Sequence, residues 1–297
     1  MIAIRHFLAY LIYLVSFLFP RSSRTIVYGG AKDCFIDNAK YCFIYANKHM
    51  PLYKHVWLTK RRDVKEYLSS LGYTSCMSNS ILGIYIALRS RHYIFDSQIG
   101  DFAYNFLSGG AVTCNLWHGI PLKKIGFDNV ISENSAYGRN RFERLLNRKS
   151  ISPDYLLCPS DGLRQIFLSA FKVSSDSIVV GGYYRNLPFY MSQDELDAFI
   201  QESGERELIA LQKLILQGHF ERVVIYMPTF RDADPDFLSK AVPDFDRLNS
   251  VCQTQGILLL FKMHRATKVS TNFSSYSNLV WVDSKIDIYP ILPYTHM

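Results

Sequence analysis

From Thr25 onward the chain alternates between two hydrophobic rhythms. Short runs of β-branched and aromatic residues fall at Thr25–Tyr28, His55–Leu58, Tyr93–Phe95, Val112–Leu116, Tyr155–Leu157 and Ile178–Val180. Between them lie stretches with apolar residues at helical spacing: Asn38–Lys48, Val64–Leu71, Ile81–Arg89 and Gly162–Phe171. Strand runs with little internal polar alternation are buried on both faces, and a helix between successive strands makes their sheet parallel. The expected fold class is therefore α/β, with a parallel sheet covered on both faces. Met191–Gln217 is acidic and polar in its first half and apolar in its second, which reads as a helical connector. A strand at Val223–Tyr226, a helix near Pro235–Cys252 and strands at Ile257–Phe261 and Leu279–Val282 follow, and Ile286–Met297 looks like the start of another helix. Three strands fall short of the five or six of a doubly wound domain, so this second unit reads as unfinished.

The first 20 residues follow neither rhythm. Ile2–Phe19 is almost wholly apolar, but Arg5 and His6 interrupt it and the clean run from Phe7 to Phe19 is 13 residues. A spanning helix needs about 20 apolar residues, and a signal peptide needs a small-residue cleavage site that Phe19-Pro20-Arg21 does not offer. A helix lying in the membrane surface fits better, with Arg5, Arg21 and Arg24 touching lipid phosphates. The plainer alternative is an ordinary helix packed on the body of the protein. The expected organisation is a membrane-associating helix over 1–20, a first α/β domain over 21–190, a helical connector over 191–217 and a second, incomplete α/β domain over 218–297.

Composition sharpens this in one respect. The 297 residues suit two domains, and 48% hydrophobic with 20% charged residues excludes a disordered or coiled-coil chain. The net charge of +7 is unevenly placed: residues 1–150 hold 20 Lys and Arg against 9 Asp and Glu, residues 151–297 hold 13 against 17. A basic half implies a polyanionic partner. Arg141, Arg144 and Arg148 share one helical face within Arg139–Lys149 and could meet anionic lipid or polymer, although a charge run is more often a solvated face. No zinc-finger spacing or RNA-binding aromatic motif accompanies the charge, so no nucleic-acid partner is expected. The six cysteines stand singly, which reads as reduced thiols in a cytoplasmic protein.

Polar clusters recur where strands end. His118 follows Val112–Leu116 directly, at the carboxyl end of a strand where open α/β sheets bind ligands. An imidazole there can take a proton from a hydroxyl near neutral pH, Gly119 lets a ligand approach the backbone, and Lys123 and Lys124 supply charge for phosphate. It is equally consistent with a loop histidine bonded to backbone. Thr229 and Arg231 follow Val223–Tyr226, Lys262 and His264 end Ile257–Phe261, and Arg185 follows Gly181-Gly182. Gathered, such groups would suit a diphosphate-linked donor.

WHGIPLKKIGFD (Trp117–Asp128) closely resembles the WHGTPLKKIG motif of the CDP-glycerol glycerophosphotransferase family, the teichoic-acid polymerases and primases and their capsule-polymer relatives. LFPRSSRTIVYGG, FIDNAKYCFIYA, SPDYLLCPSD, GGYYRN, YMPTFRD and FKMH resemble further blocks in the family's order. The resemblance implies a GT-B fold of two Rossmann-like domains, 21–190 as the acceptor-side and 218–297 as the donor-side domain, on the cytoplasmic membrane face, and transfer of glycerol phosphate, or ribitol phosphate, from a CDP-linked donor to a polymer or lipid-linked acceptor with release of CMP. It makes His118 and His264 the catalytic histidines, His118 as base, and gives Arg231, Thr229, Lys262 and Arg185 to the donor phosphates. No cofactor is implied beyond a loosely held Mg²⁺. Ile120 stands where the family has Thr, Arg265 where it has Pro, and Tyr184 where it has Pro. The family's Thr-Asp-Tyr-Ser-Ser block would fall just past Pro293-Tyr294, which leads to the expectation of little transferase activity from these 297 residues alone. A nucleotide-sugar glycosyltransferase and a non-catalytic membrane- or polyanion-binding subunit are the competing readings.

Overall fold

The computed structural model describes residues 2–129, 140–228, 237–263 and 272–296. The chain divides into two compact units, Met1–Leu187 and Pro188–Met297.

The first unit opens with helix α1 (Ile2–Ser16) and continues as β1 (Ser22–Gly29), α2 (Asp37–His49), β2 (Lys54–Thr59), α3 (Arg62–Ser70), β3 (Ser75–Met77), α4 (Ile81–Arg89), β4 (Ser90–Phe95) and α5 (Ile99–Phe102). After these come β5 (Val112–Asn115), α6 (Arg141–Ile151), β6 (Tyr155–Cys158), α7 (Arg164–Phe171) and β7 (Ile178–Val180). The seven strands form one sheet in the order β3-β2-β1-β4-β5-β6-β7. Every pairing is parallel. The order reverses between β1 and β4, which puts a crevice beyond the carboxyl ends of those strands.

Alternation along the strands fills both faces. Ile26, Tyr28 and Trp57 join Phe43, Val64 and Leu68 of α2 and α3 on one side. Val27, Val56, Leu58, Tyr93 and Phe95 join Ile86 of α4 and Ile99 and Phe102 of α5 on the other. The last residue of β1 serves this packing: a Cβ at Gly29 would lie 1.9 Å from the Phe102 ring, and one at Gly30 2.2 Å from the Cys34 carbonyl oxygen. All six cysteines are free thiols.

The apolar N-terminal segment is a helix of 15 residues, and among the described residues no helix is long and apolar enough to cross a membrane. One side of α1 docks on the body. Phe7 and Tyr10 meet Phe142 of α6 with ring centroids 5.1 and 5.8 Å apart, and Asn140 Nδ2 donates to His6 Nδ1 at 2.8 Å. Ile4, Leu8, Leu11, Ile12 and Val15 stay exposed. Arg21 corrects the expectation of a lipid contact. Its guanidinium donates to the carbonyls of Gly109, Ala87, Ser90 and Leu107 at 2.7–3.1 Å, engaging four of its five N–H bonds inside the unit.

The second unit holds α8 (Gln193–Glu202), α9 (Arg206–Gln217), β8 (Arg222–Tyr226), α10 (Phe237–Ala241), α11 (Phe245–Thr254), β9 (Ile257–Lys262) and β10 (Leu279–Val282). Its three strands are parallel in the order β10-β9-β8. The segment expected as a connector is packed instead: Leu196, Ile200, Leu208, Leu211 and Ile215 share a core with Val223, Leu258, Leu260 and Val282. The helix expected near Pro235–Cys252 is two helices, divided where Pro243 withholds an N–H. The helix expected at Ile286–Met297 is a single 3-10 turn at Leu292–Tyr294. Pro290 and Pro293 remove donors there, and the tail pairs with β8 through His296 N–H to the Val223 carbonyl at 2.8 Å.

Candidate active site

The Trp117-His118-Gly119 turn leaves β5 beside the crevice at the β1/β4 reversal. Trp117 adopts the left-handed region at φ 52°, a strained conformation for a bulky side chain. The surrounding structure enforces it. Trp117 N–H donates to Asn115 Oδ1 at 2.8 Å, and the indole packs against Phe171 at 4.7 Å between centroids.

Three successive carbonyls of this turn are held by side chains from elsewhere in the unit. Asn38 Nδ2 donates to the Trp117 carbonyl at 2.7 Å. Arg185 Nη1 donates to the His118 carbonyl at 2.8 Å. Tyr183 hydroxyl donates to the Gly119 carbonyl at 2.8 Å. The clamps are themselves tied together: Arg185 N–H donates to Asn38 Oδ1 at 3.1 Å, and Arg185 Nη1 pairs with Asp37 Oδ1 and Oδ2 at 2.9 and 3.1 Å. This ion pair is largely buried, with side-chain exposures of 16% and 21%. Burial pushes the Asp37 carboxyl upward, with Arg185 pulling the other way.

His118 takes its chemistry from this frame. Its Nδ1 lies 2.8 Å from the backbone carbonyl of Asp96, and since a carbonyl only accepts, Nδ1 carries the proton of the neutral ring. Nε2 is left with its lone pair and has no partner among the described residues. The imidazole lies against the Trp117 indole with centroids 4.0 Å apart, fixing the ring plane. His55 shows the contrast. It is buried, with Nδ1 beside the Tyr28 hydroxyl and Nε2 beside the Met50 carbonyl, so both nitrogens serve the core.

Asp96, whose carbonyl orients His118, is fully buried at the end of β4. Its carboxylate accepts the Ala31 N–H at 2.7 Å and the Ala39 N–H at 3.2 Å, joining the loop after β1 to the first turn of α2. Burial pushes the carboxyl up to about 7, and the nearby Asp37 charge adds to this, against the stabilising pull of the two N–H groups.

Of the residues expected at a site, Gly119 adjoins His118, and a Cβ there would meet nothing within 4 Å, so the space in front of the turn is open. Lys123 and Lys124 are exposed on the loop that follows. Arg185 is at the site but faces Asp37 and the His118 carbonyl, so its role as a donor-phosphate contact gives way to that of a support for the turn. In the second unit Lys262 donates to the Asp283 carbonyl at 2.6 Å, and burial lowers its ammonium pKa. Thr229, Arg231 and His264 lie outside the described residues. Arg5, Arg24, Arg141, Arg144 and Arg148 are exposed, the last three rimming a hollow of ≈ 400 Å³ floored by Phe127, Leu145 and Ile151.

Sequence reasoning missed Asp37, Asn38, Asp96, Asn115 and Tyr183. Asp96 and Asn115 had a readable signal, as polar residues ending strands next to the reversal. Asn38 and Tyr183 had none beyond membership of blocks already noted.

Comparison with known proteins places this geometry. The chain is 24% identical over 263 residues to the teichoic acid poly(glycerol phosphate) polymerase of Staphylococcus epidermidis, an alignment covering 86% of this chain and 34% of that protein. It is 27% identical over 201 residues to the teichoic acid glycerol-phosphate transferase of Staphylococcus aureus, covering 67% of this chain and 48% of that one. The chain thus spans about a third to a half of these relatives' length. Among solved structures, the wall teichoic acid polymerase TagF superposes with a TM-score of 0.68 at 20% identity, over 99% of this chain and 72% of that one, a likeness of fold. The sequence profile of one family matches residues 11–297, and the chain belongs to that family, the CDP-Glycerol:Poly(glycerophosphate) glycerophosphotransferases.

Proposed function

We propose that this chain transfers glycerol phosphate, or a related polyol phosphate, from a CDP-linked donor to a teichoic-acid-like or capsular polymer or lipid-linked acceptor, with His118 as general base. The observation that carries the reading is the Nδ1 bond to the Asp96 carbonyl, which leaves Nε2 unprotonated on a turn fixed by Asn38, Arg185 and Tyr183. Nε2 takes the proton of an acceptor hydroxyl as its oxygen attacks the donor's distal phosphorus. The new phosphodiester bond forms as the bond to the CMP oxygen breaks, and CMP carries away the electron pair. One solved structure of a TagF variant is of a soak with CDPG, in keeping with a CDP-linked donor. His264, Thr229, Arg231 and Lys262 are assigned to the charge of the donor pyrophosphate, and Lys123 and Lys124 to acceptor phosphates.

Action at the cytoplasmic membrane face, as a peripheral protein, is part of the same proposal. It is supported by the exposed apolar side of α1 and by Arg5, Arg24, Arg141, Arg144 and Arg148 on the same unit.

The test is transfer of label from CDP-glycerol to a lipid-linked acceptor, run beside a panel of other CDP-alcohols and nucleotide sugars. His118→Ala is expected to lower turnover by about 10²–10⁴-fold. Sugar transfer alone would overturn the reaction class, and full turnover in His118→Ala would overturn the assigned base.

A further inference from the structure

The three clamped carbonyls have a counterpart on their other side. In a trans peptide the carbonyl of one residue and the N–H of the next point in opposite directions, and the described chain has no cis bond. With the carbonyls of Trp117, His118 and Gly119 drawn inward to Asn38, Arg185 and Tyr183, the N–H groups of His118, Gly119 and Ile120 face away from those clamps. None of the three N–H groups has a hydrogen-bond partner among the described residues. They lie beside an exposed imidazole and before the open space at Gly119. Successive unpaired peptide N–H groups on one side of a turn make a concavity suited to an anion.

We propose that the N–H groups of His118, Gly119 and Ile120 form an oxyanion site for the phosphoryl group in transfer, with Asn38, Arg185 and Tyr183 as positioning residues behind it. This inference rests on the transferase reading, because a base that deprotonates the attacking hydroxyl must lie within a few ångströms of the phosphorus under attack. The non-bridging oxygens of that phosphorus then fall within reach of donors on the same turn. The partial charges of fixed amides need no reorganisation as charge builds on those oxygens, which is how such donors accelerate the step. The left-handed backbone at Trp117 lies just before these three peptides and redirects the chain as it leaves β5.

The test is amide NMR on ¹⁵N-labelled full chain. Wild-type protein is titrated with inorganic phosphate against a chloride control, and His118→Ala, which keeps the N–H at 118 and is expected to turn over slowly, is titrated with CDP-glycerol. Saturable downfield movement of the amide protons at 118, 119 and 120 is expected with each probe. Tyr183→Phe, which frees only the Gly119 carbonyl, is expected to weaken phosphate binding about three- to tenfold and to abolish the response at Ile120 before that at His118. Unmoved amides at all three positions with both probes overturn the proposal, as does an unchanged response in folded Tyr183→Phe. The two readings fail separately. Turnover of CDP-glycerol with silent amides keeps the transferase and removes the oxyanion site, whereas a phosphate response without turnover keeps the site and removes the transferase.

Discussion

Trp117 holds a left-handed backbone whose cost is on the order of 1–3 kcal/mol, and the surrounding bonds identify what sustains it. Asn38 is fully buried and bonds both the Trp117 carbonyl and the Arg185 N–H, so removing its amide leaves two backbone groups unsatisfied. Asn38→Ala is expected to cost about 2–4 kcal/mol in urea denaturation and to lower turnover with it, because the turn relaxes. Asp96 allows a prediction with a sign. Its carboxyl titrates near 3.9 in an unfolded chain and at about 7 when folded, so between those values the folded state holds the extra proton. Stability from this group is present at the acid end and declines as pH rises through that window, then levels off. The urea midpoint of Asp96→Asn should lack this decline between pH 5 and pH 8, and an identical slope in both proteins would refute the assignment. The identity of His118 as a candidate base was legible from its place after a strand and from the family motif. That Nε2 is its free nitrogen was not, because the Asp96 carbonyl that engages Nδ1 lies 22 positions away.

At the scale of elements, strand and helix positions were largely legible because burial on two faces leaves a continuous apolar run. The exception among strands is β3, where Ser75-Cys76-Met77 has no β-branched or aromatic residue to mark it, unlike the equally short Ile178-Val179-Val180 of β7. The helices at Met191–Gln217 read as a connector because half of each faces water; their apolar stripes are set by the sheet they cover. Arg21 illustrates the opposite failure, since a cation after an apolar helix looks like a lipid contact in one dimension. Arg21→Ala should cost about 2–4 kcal/mol by chemical denaturation, as four carbonyls at the ends of α4 and β4 and in the Leu107–Gly109 loop lose their shared donor. For α1 the expectation is reversed. Leu8→Glu with Leu11→Glu, both on exposed positions, should leave the melting temperature within a few degrees and reduce binding to phospholipid vesicles. Undiminished vesicle binding would remove α1 from the membrane proposal.

At the scale of the molecule, the charge division becomes an argument about association. The basic residues 1–150 include the exposed Arg141, Arg144 and Arg148. Surface charges are screened within about 8–10 Å at ordinary ionic strength, so binding to anionic vesicles should weaken as salt rises from about 0.05 M to 0.5 M. Replacing the three arginines by Ala should flatten that dependence, and an unaltered salt response would place the contact elsewhere. The sequence by itself determined the alternation of strands and helices, the parallel sheet, the basic half and the family motif, because each of these is written in local periodicity, composition or contiguous residues. Tertiary structure alone decided the state of the Trp117–Gly119 turn. Its clamps reach it from Asn38, Tyr183 and Arg185, 64 to 79 positions distant, and the Arg185-to-Asn38 bond that ties them spans 147. No local pattern encodes such contacts. They exist only once the sheet's strand order brings the ends of β1, β4, β5 and β7 to one side.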